Sequence, residues 1–148
     1  MKILALDMSS TNVGLCYDGK EFETISLRGD IAKRCELAAR LIIGWIIIWE
    51  DIDLIVIESP VGRFTKAVIP QARVSGAVLS EFSRRNLAWV ELAPQLGKKA
   101  LTGKGNADKQ AMILAAGQKT GQLLNEHQAD AFGLYLAAKA IKVESRAA

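Results

Sequence analysis

The stretch "KILALDMSSTNVGLCYDGKEFETISLRG", residues 2–29, decides the fold. Its first run, "KILALDM" (2–8), is continuously apolar with an acid near its end, the pattern of a mostly buried strand. Two further strand-like runs follow, "STNVGLCYDG" (10–19) and "KEFETISLRG" (20–29), and Asp18-Gly19 lies between them. Asp-Gly between two such runs is a strong hairpin signal, because both residues tolerate the positive φ of a tight turn. The spacing predicts three antiparallel strands at the start of the chain.

Working outward, Asp30 is placed to cap a helix through roughly Trp49. "DLIVIES" (53–59) predicts a fourth strand, covered on both faces because its aliphatics are continuous. "TKAVIPQARVSGAVLSEFSRRN" (65–86) predicts a helix with Pro70 near its start or at a kink, ended by Arg84 and Arg85. "LAWVELAP" (87–94) predicts a fifth strand, and "QLGKKALTGKGNADKQ" (95–110) reads as a basic, glycine-bearing loop. That loop leads into a helix within 108–118, and a last helix starts near Asn125 and ends among residues 139–148. The order β-β-β-α-β-α-β-α-α predicts one α/β domain, residues 1–148, with a mixed five-stranded sheet flanked by helices.

The bulk numbers agree with a globular domain. The chain has 148 residues, 50% hydrophobic and 24% charged, enough to bury a core. A formal charge of +3 and a pI near 8.9 are compatible with nucleic acid without requiring it. Cys16 and Cys35 form no zinc spacing and read as reduced, packed thiols. The greasiest run, "LIIGWIIIW" (41–49), is about half of a membrane span before "EDID" interrupts it. The opening "MKILALDMSS" carries an early aspartate and does not read as a signal peptide. The expectation is a soluble, cytoplasmic protein of a bacterial or phage-infected cell.

The acids carry the chemistry. Asp7 and Glu58 close the first and fourth strands, where sites collect in parallel α/β sheets. Ionised carboxylates are costly to bury unless paired, hydrogen-bonded or on a metal. If these strands are neighbours, the two acids converge, and a hard divalent cation would remove their repulsion. The single histidine, His127, stands three residues before Asp130 in "LLNEHQADAFGLYLAA" (123–138). Two readings meet there. Asn125 and Gln128 have the spacing of a capping box, so the polar residues would start a helix. His127 and Asp130 also have the i, i+3 spacing of a metal-binding pair.

The blocks "ILALDMSSTNVG", "DLIVIESP", "IPQARVSGAVLSEF", "LTGKGNADKQAMI" and "HQADAFGLYLAA" resemble, in order and spacing, those of the RuvC family of Holliday junction resolvases, including phage-type members. The resemblance runs from residue 1 to about 140. It implies an RNase H-like fold and a catalytic, metal-binding quartet of Asp7, Glu58, His127 and Asp130. Many members have aspartate at the third position, where this chain has histidine. The implied enzyme is a crossover junction endodeoxyribonuclease. It resolves four-way junctions by paired symmetric nicks, leaves 5′-phosphate ends and uses two Mg²⁺ ions, with Mn²⁺ able to substitute. Asp7 would bridge ions roughly 3.5–4 Å apart. His127 is open to two roles, ligand or general base.

A polyanion entering an acidic site needs positive charge around it. The candidates are Lys98, Lys99, Lys104 and Lys109 in the glycine-bearing block, and Arg63, Lys66 and Arg73 after strand four. Position matching with the family points most firmly at Lys109, and Phe64 matches roughly where relatives carry a junction-wedging aromatic. A homodimer would match the two symmetric scissile strands, with Trp45 or Trp49 contributing to its interface. The sequence says nothing about a helicase partner. Rival readings are another RNase H-like nuclease, either a YqgF-like RNA-processing enzyme or a flap endonuclease, and a non-catalytic junction binder. A further rival is an actin-like ATPase fragment, since "ALDMSSTNVG" also resembles that fold's first phosphate loop, although 148 residues leave no room for a second lobe.

Overall fold

The computed structural model of the protein describes residues 1–60 and 66–141. Arg63 and Phe64 lie outside the described residues. The chain runs β1 (Ile3–Met8), β2 (Asn12–Tyr17), β3 (Glu21–Ser26), α1 (Ile31–Ile48), β4 (Leu54–Glu58), α2 (Val68–Arg84), β5 (Trp89–Leu92), α3 (Pro94–Thr102), α4 (Lys109–Thr120) and α5 (Glu126–Ala140). The strands form one mixed sheet in the order β3-β2-β1-β4-β5. β1, β2 and β3 pair antiparallel, and β1, β4 and β5 pair parallel.

The opening hairpin forms as its turn chemistry predicts. Asp18 and Gly19 both have positive φ, 50° and 71°, and the Lys20 N–H donates to the Tyr17 carbonyl at 3.1 Å. Asp30 caps α1 by accepting from the Lys33 N–H at 2.9 Å. Pro70 sits in the first turn of α2, where its missing N–H costs no helical bond. Arg84 and Arg85 end that helix.

Period-two alternation assigns the strand residues to faces. Leu4, Leu6, Met8, Ile55 and Ile57 pack in one cluster with Ala38 and Ile42 of α1 and Val74, Val78 and Phe82 of α2. Ile3, Ala5, Leu54 and Val56 pack on the other face, against Leu101, Met112 and the α5 residues Ala129, Phe132 and Leu134. Asp7 and Glu58 continue the second series, so both belong to the α5 face.

Two sequence expectations are corrected. Residues 95–110 are not a continuous loop, because α3 occupies Pro94–Thr102. Its stop and start are conventional: Pro94 stands at its first position and Gly103 ends it in the left-handed region. Gly97 disguises this helix as a loop, yet it is a packing residue. A Cβ on Gly133 of α5 would come within 2.8 Å of the Gly97 carbonyl oxygen, so the helices cross at two glycines. Trp49 is not available to a partner either. It is 5% exposed, stacked on Tyr17 and Trp45, with its indole N–H donating to Glu21 at 2.7 Å. The exposed apolar residues of α1 are Leu41, Ile47 and Ile48. No described helix is long and apolar enough to cross a membrane.

Candidate active site

β1 and β4 run parallel, with Leu6 beside Ile57. One further step in that register sets Asp7 beside Glu58 at the carboxyl ends of adjacent strands. Asp7 is only 7% exposed, which makes it the one buried acid among the described residues. Across the antiparallel pairing its neighbour in β2 is Gly14. The first turn of α5 lies directly over that glycine, and a Cβ there would overlap the His127 carbonyl. The missing side chain lets the helix start descend onto the sheet, which brings His127 Nδ1 to 3.5 Å from Asp7 Oδ2.

The α5 start is held by the predicted capping box. Asn125 Oδ1 accepts from the Gln128 N–H at 2.9 Å, and Gln128 Oε1 accepts from the Asn125 N–H at 3.1 Å. Asn125 also donates to Thr24 of β3 at 2.9 Å, tying the cap to the sheet edge. The cap therefore belongs to Asn125 and Gln128, leaving His127 and Asp130 to point elsewhere. Asp7, Glu58, Asp130 and Lys98 line one cleft of about 210 Å³, together with Pro94, Met112 and Leu134. A larger groove of about 510 Å³ lies between α1 and α2, lined by Cys35, Arg–Glu pairs and small residues. It shares no residue with the acid cleft.

The charges in the cleft are in conflict. Burial, then repulsion from Asp7 and a hydrogen bond shared with it, pushes the Glu58 carboxyl up to about 9. Burial and Asp7 raise Asp130 to about 6. Lys98 pulls both back toward the ordinary range. The Asp7 carboxylate raises His127 above its ordinary 6.5, against the opposing effect of burial. Among the described residues no three acid, histidine or cysteine side chains converge as ligands of one ion in the conformations seen. What unites these four is a common site and an excess of negative charge. Hard oxygen donors with one imidazole are the chemistry of Mg²⁺ and Mn²⁺ sites.

The candidate cations are distributed unevenly. Lys98, on α3, is inside the cleft. Lys99, Lys104, Lys66 and Arg73 are exposed, and Lys109 pairs with Glu126 at 2.9 Å. Gln71, in the first turn of α2, donates to the Met8 carbonyl at 2.9 Å and fixes that helix start at the end of β1. Sequence reasoning missed Gly14 and Glu126. A glycine inside a strand signals a close approach, and this one marks where α5 lands.

No protein-family model matches the chain, and no curated protein sequence does. Among solved structures, the chain is similar to Thermus thermophilus RuvC in complex with a Holliday junction substrate. The TM-score is 0.78 at 18% identity, covering 94% of this chain and 93% of that one. A second Thermus thermophilus RuvC structure matches at a TM-score of 0.74 with the same identity and coverage. The fold is therefore the RNase H-like fold of RuvC, as the sequence blocks implied.

Two outcomes are expected. Gly14→Ala should cost about 1–3 kcal/mol, read as several degrees of melting temperature, because the helix start must lift off the sheet. An unchanged melting curve would remove Gly14 from its role. The second concerns pH. Glu58 binds its proton more tightly folded than unfolded, so its contribution to stability is complete below about 4.5 and is lost as pH rises through about 9. In EDTA the melting temperature of the wild type should fall across that window, and Glu58→Gln should flatten the fall. Parallel curves for the two proteins would contradict the buried repulsion.

Proposed function

We propose that this chain is a RuvC-type, metal-dependent endonuclease that cleaves four-way DNA junctions. The observation that carries the reading is the set Asp7, Glu58, Asp130 and His127 gathered at the carboxyl ends of β1 and β4 in a RuvC fold. A structure-only scaffold has no use for two acids driven far from their ordinary titration range, whereas a site awaiting cations does. The residues fit the group: Asp7, Glu58, His127 and Asp130 would hold Mg²⁺ or Mn²⁺. When bound, such ions supply charge neutralisation and a water acidic enough to yield hydroxide.

The chain's own residues account for the rest. Asp7, the most enclosed of the four, faces both Glu58 and His127 and organises the set. His127 must be neutral either to ligate through a ring nitrogen or to accept a proton from water. Lys98, already inside the cleft, would meet the scissile phosphate and offset its charge. Lys99, Lys104 and Lys109 would follow the flanking backbone on the α3–α4 side, and Lys66 and Arg73 on the α2 side. We infer a two-fold homodimer, because a four-way junction presents two symmetric scissile strands. The exposed Ile47 and Ile48 on α1 are apolar surface consistent with a partner.

The primary experiment is cleavage of a synthetic four-way junction with Mg²⁺, Mn²⁺ or EDTA, in competition with fork, flap and RNA–DNA hybrid. Divalent-dependent symmetric nicks are expected in the junction. Preference for the hybrid or flap would assign the site to another RNase H-like nuclease. Asp7→Asn should abolish cleavage while junction affinity stays within about a few-fold, because phosphates are held by cations. Affinity collapsing together with activity would refute that division of labour.

His127→Ala should lose roughly 10²–10⁴-fold in rate, whereas His127→Asp should retain measurable cleavage. Asp7 holds the imidazole proton above its ordinary 6.5, so wild-type activity at limiting Mg²⁺ should start to fall above that pH as the solution is acidified. Added Mg²⁺ should shift the acid limb downward, and His127→Asp should shift it further. An alanine variant with the wild-type rate and acid limb would leave His127 no part in the chemistry.

A further inference from the structure

Lys109 and Glu126 are the first residues of α4 and α5. A glutamate at a helix start is favoured by the macrodipole, but a lysine there opposes it, and the first turn of α4 contains no acid of its own. Helix energetics therefore do not explain Lys109. Its ammonium is 2.9 Å from Glu126 Oε2, although its side chain is 75% exposed. The other Glu126 oxygen lies 3.5 Å from His127 Nε2, and the far side of that ring faces Asp7. A continuous row, Lys109–Glu126–His127–Asp7, thus runs from the protein surface into the acid cleft. Lys109 also feels the charge of Asp130, so it stands within electrostatic reach of the cleft rather than on a remote face.

Within the proposed reading as a DNA-cleaving enzyme, this arrangement has a consequence for substrate binding. We propose that Glu126 is an internal competitor of the DNA phosphate: it occupies Lys109 in the free protein and must be displaced when a phosphate arrives at the mouth of the site. A carboxylate–ammonium pair with an exposed lysine and a half-buried glutamate at the protein surface is weak enough to exchange. A phosphate offers the same lysine a stronger, doubly favourable contact, through its own charge and through release of counterions from DNA. Glu126 therefore lowers affinity for every DNA that reaches the cleft, and it does so through Lys109. The displaced carboxylate remains beside His127 Nε2, so ligand exchange at the rim is transmitted to the ring that touches Asp7.

The test is a double-mutant cycle on binding. Dissociation constants for a fluorescent four-way junction are measured in EDTA over a range of salt, for wild type, Glu126→Gln, Lys109→Gln and the double variant. Glutamine is close in size to glutamate and is accommodated at the half-buried Glu126 position and the exposed Lys109 position, and a thermal melt checks each fold. Glu126→Gln should bind about 1.5- to 5-fold tighter, with the gain shrinking as salt rises. Lys109→Gln should bind more weakly and lower the slope of log affinity against log salt by about one. In the Lys109→Gln background, Glu126→Gln should bring no further tightening. Glu126→Gln binding no tighter than wild type overturns the proposal, as does a gain of equal size without Lys109. A wild type that binds duplex as well as it binds junctions overturns the junction reading alone, and the same cycle is then read on duplex. A wild type that binds no DNA overturns both.

Discussion

Two carboxylates at the ends of adjacent parallel strands, one buried and the other half-buried, cannot both hold their charge without help. The register that sets Asp7 beside Glu58 imposes that conflict, and the rest of the site can be understood as its management. Part of the relief is internal: burial and Asp7 hold the Glu58 carboxyl well above the usual carboxylate range, Lys98 leans in from α3, and His127 faces Asp7 from α5. In the proposed reading, the remainder is left to the cation and the phosphate that the site would bind. On that reading, the buried repulsion is the local stability cost of a site kept ready for a charged ligand.

Glycines make the geometry possible. Gly14 removes the side chain that would stand between β2 and the first turn of α5. Gly97 and Gly133 let α3 and α5 cross at backbone contact, which brings Lys98 over the cleft. None of these positions carries chemistry, yet each sets the depth at which a chemical residue sits. The capping box does related work. Because Asn125 and Gln128 satisfy the free N–H groups at the start of α5, His127 and Asp130 are not needed there. The capping pair and the His127–Asp130 pair lie on different sides of the start of α5, so the cap leaves the second pair free for the role proposed for it.

Positive charge is arranged in two tiers. Lys98 is enclosed with the acids and belongs to the site's own balance. The exposed lysines of the α3–α4 segment and the cations of α2 form an outer tier, where contacts are individually weak and sensitive to salt. Lys109 is held between the tiers by Glu126.

The strands, the hairpin, the ends of α1 and the cap of α5 were legible in residues 2–29, in Asp30 and in the Asn125–Gln128 spacing, because each is decided by neighbours within a few positions. So was the candidacy of Asp7 and Glu58, since an acid ending a buried aliphatic run is anomalous by itself. The sequence alone could not place the two acids side by side, because that depends on a register between strands 51 residues apart in their pairing, Ile3 with Leu54. Nor could it show α3 behind Gly97 and Gly103, the burial of Trp49, the entry of Lys98 into the cleft or the bond from Lys109 to Glu126. Those features depend on contacts between segments remote in the chain. Such contacts are selected by how helices and sheet pack together, and local propensity has no information about them.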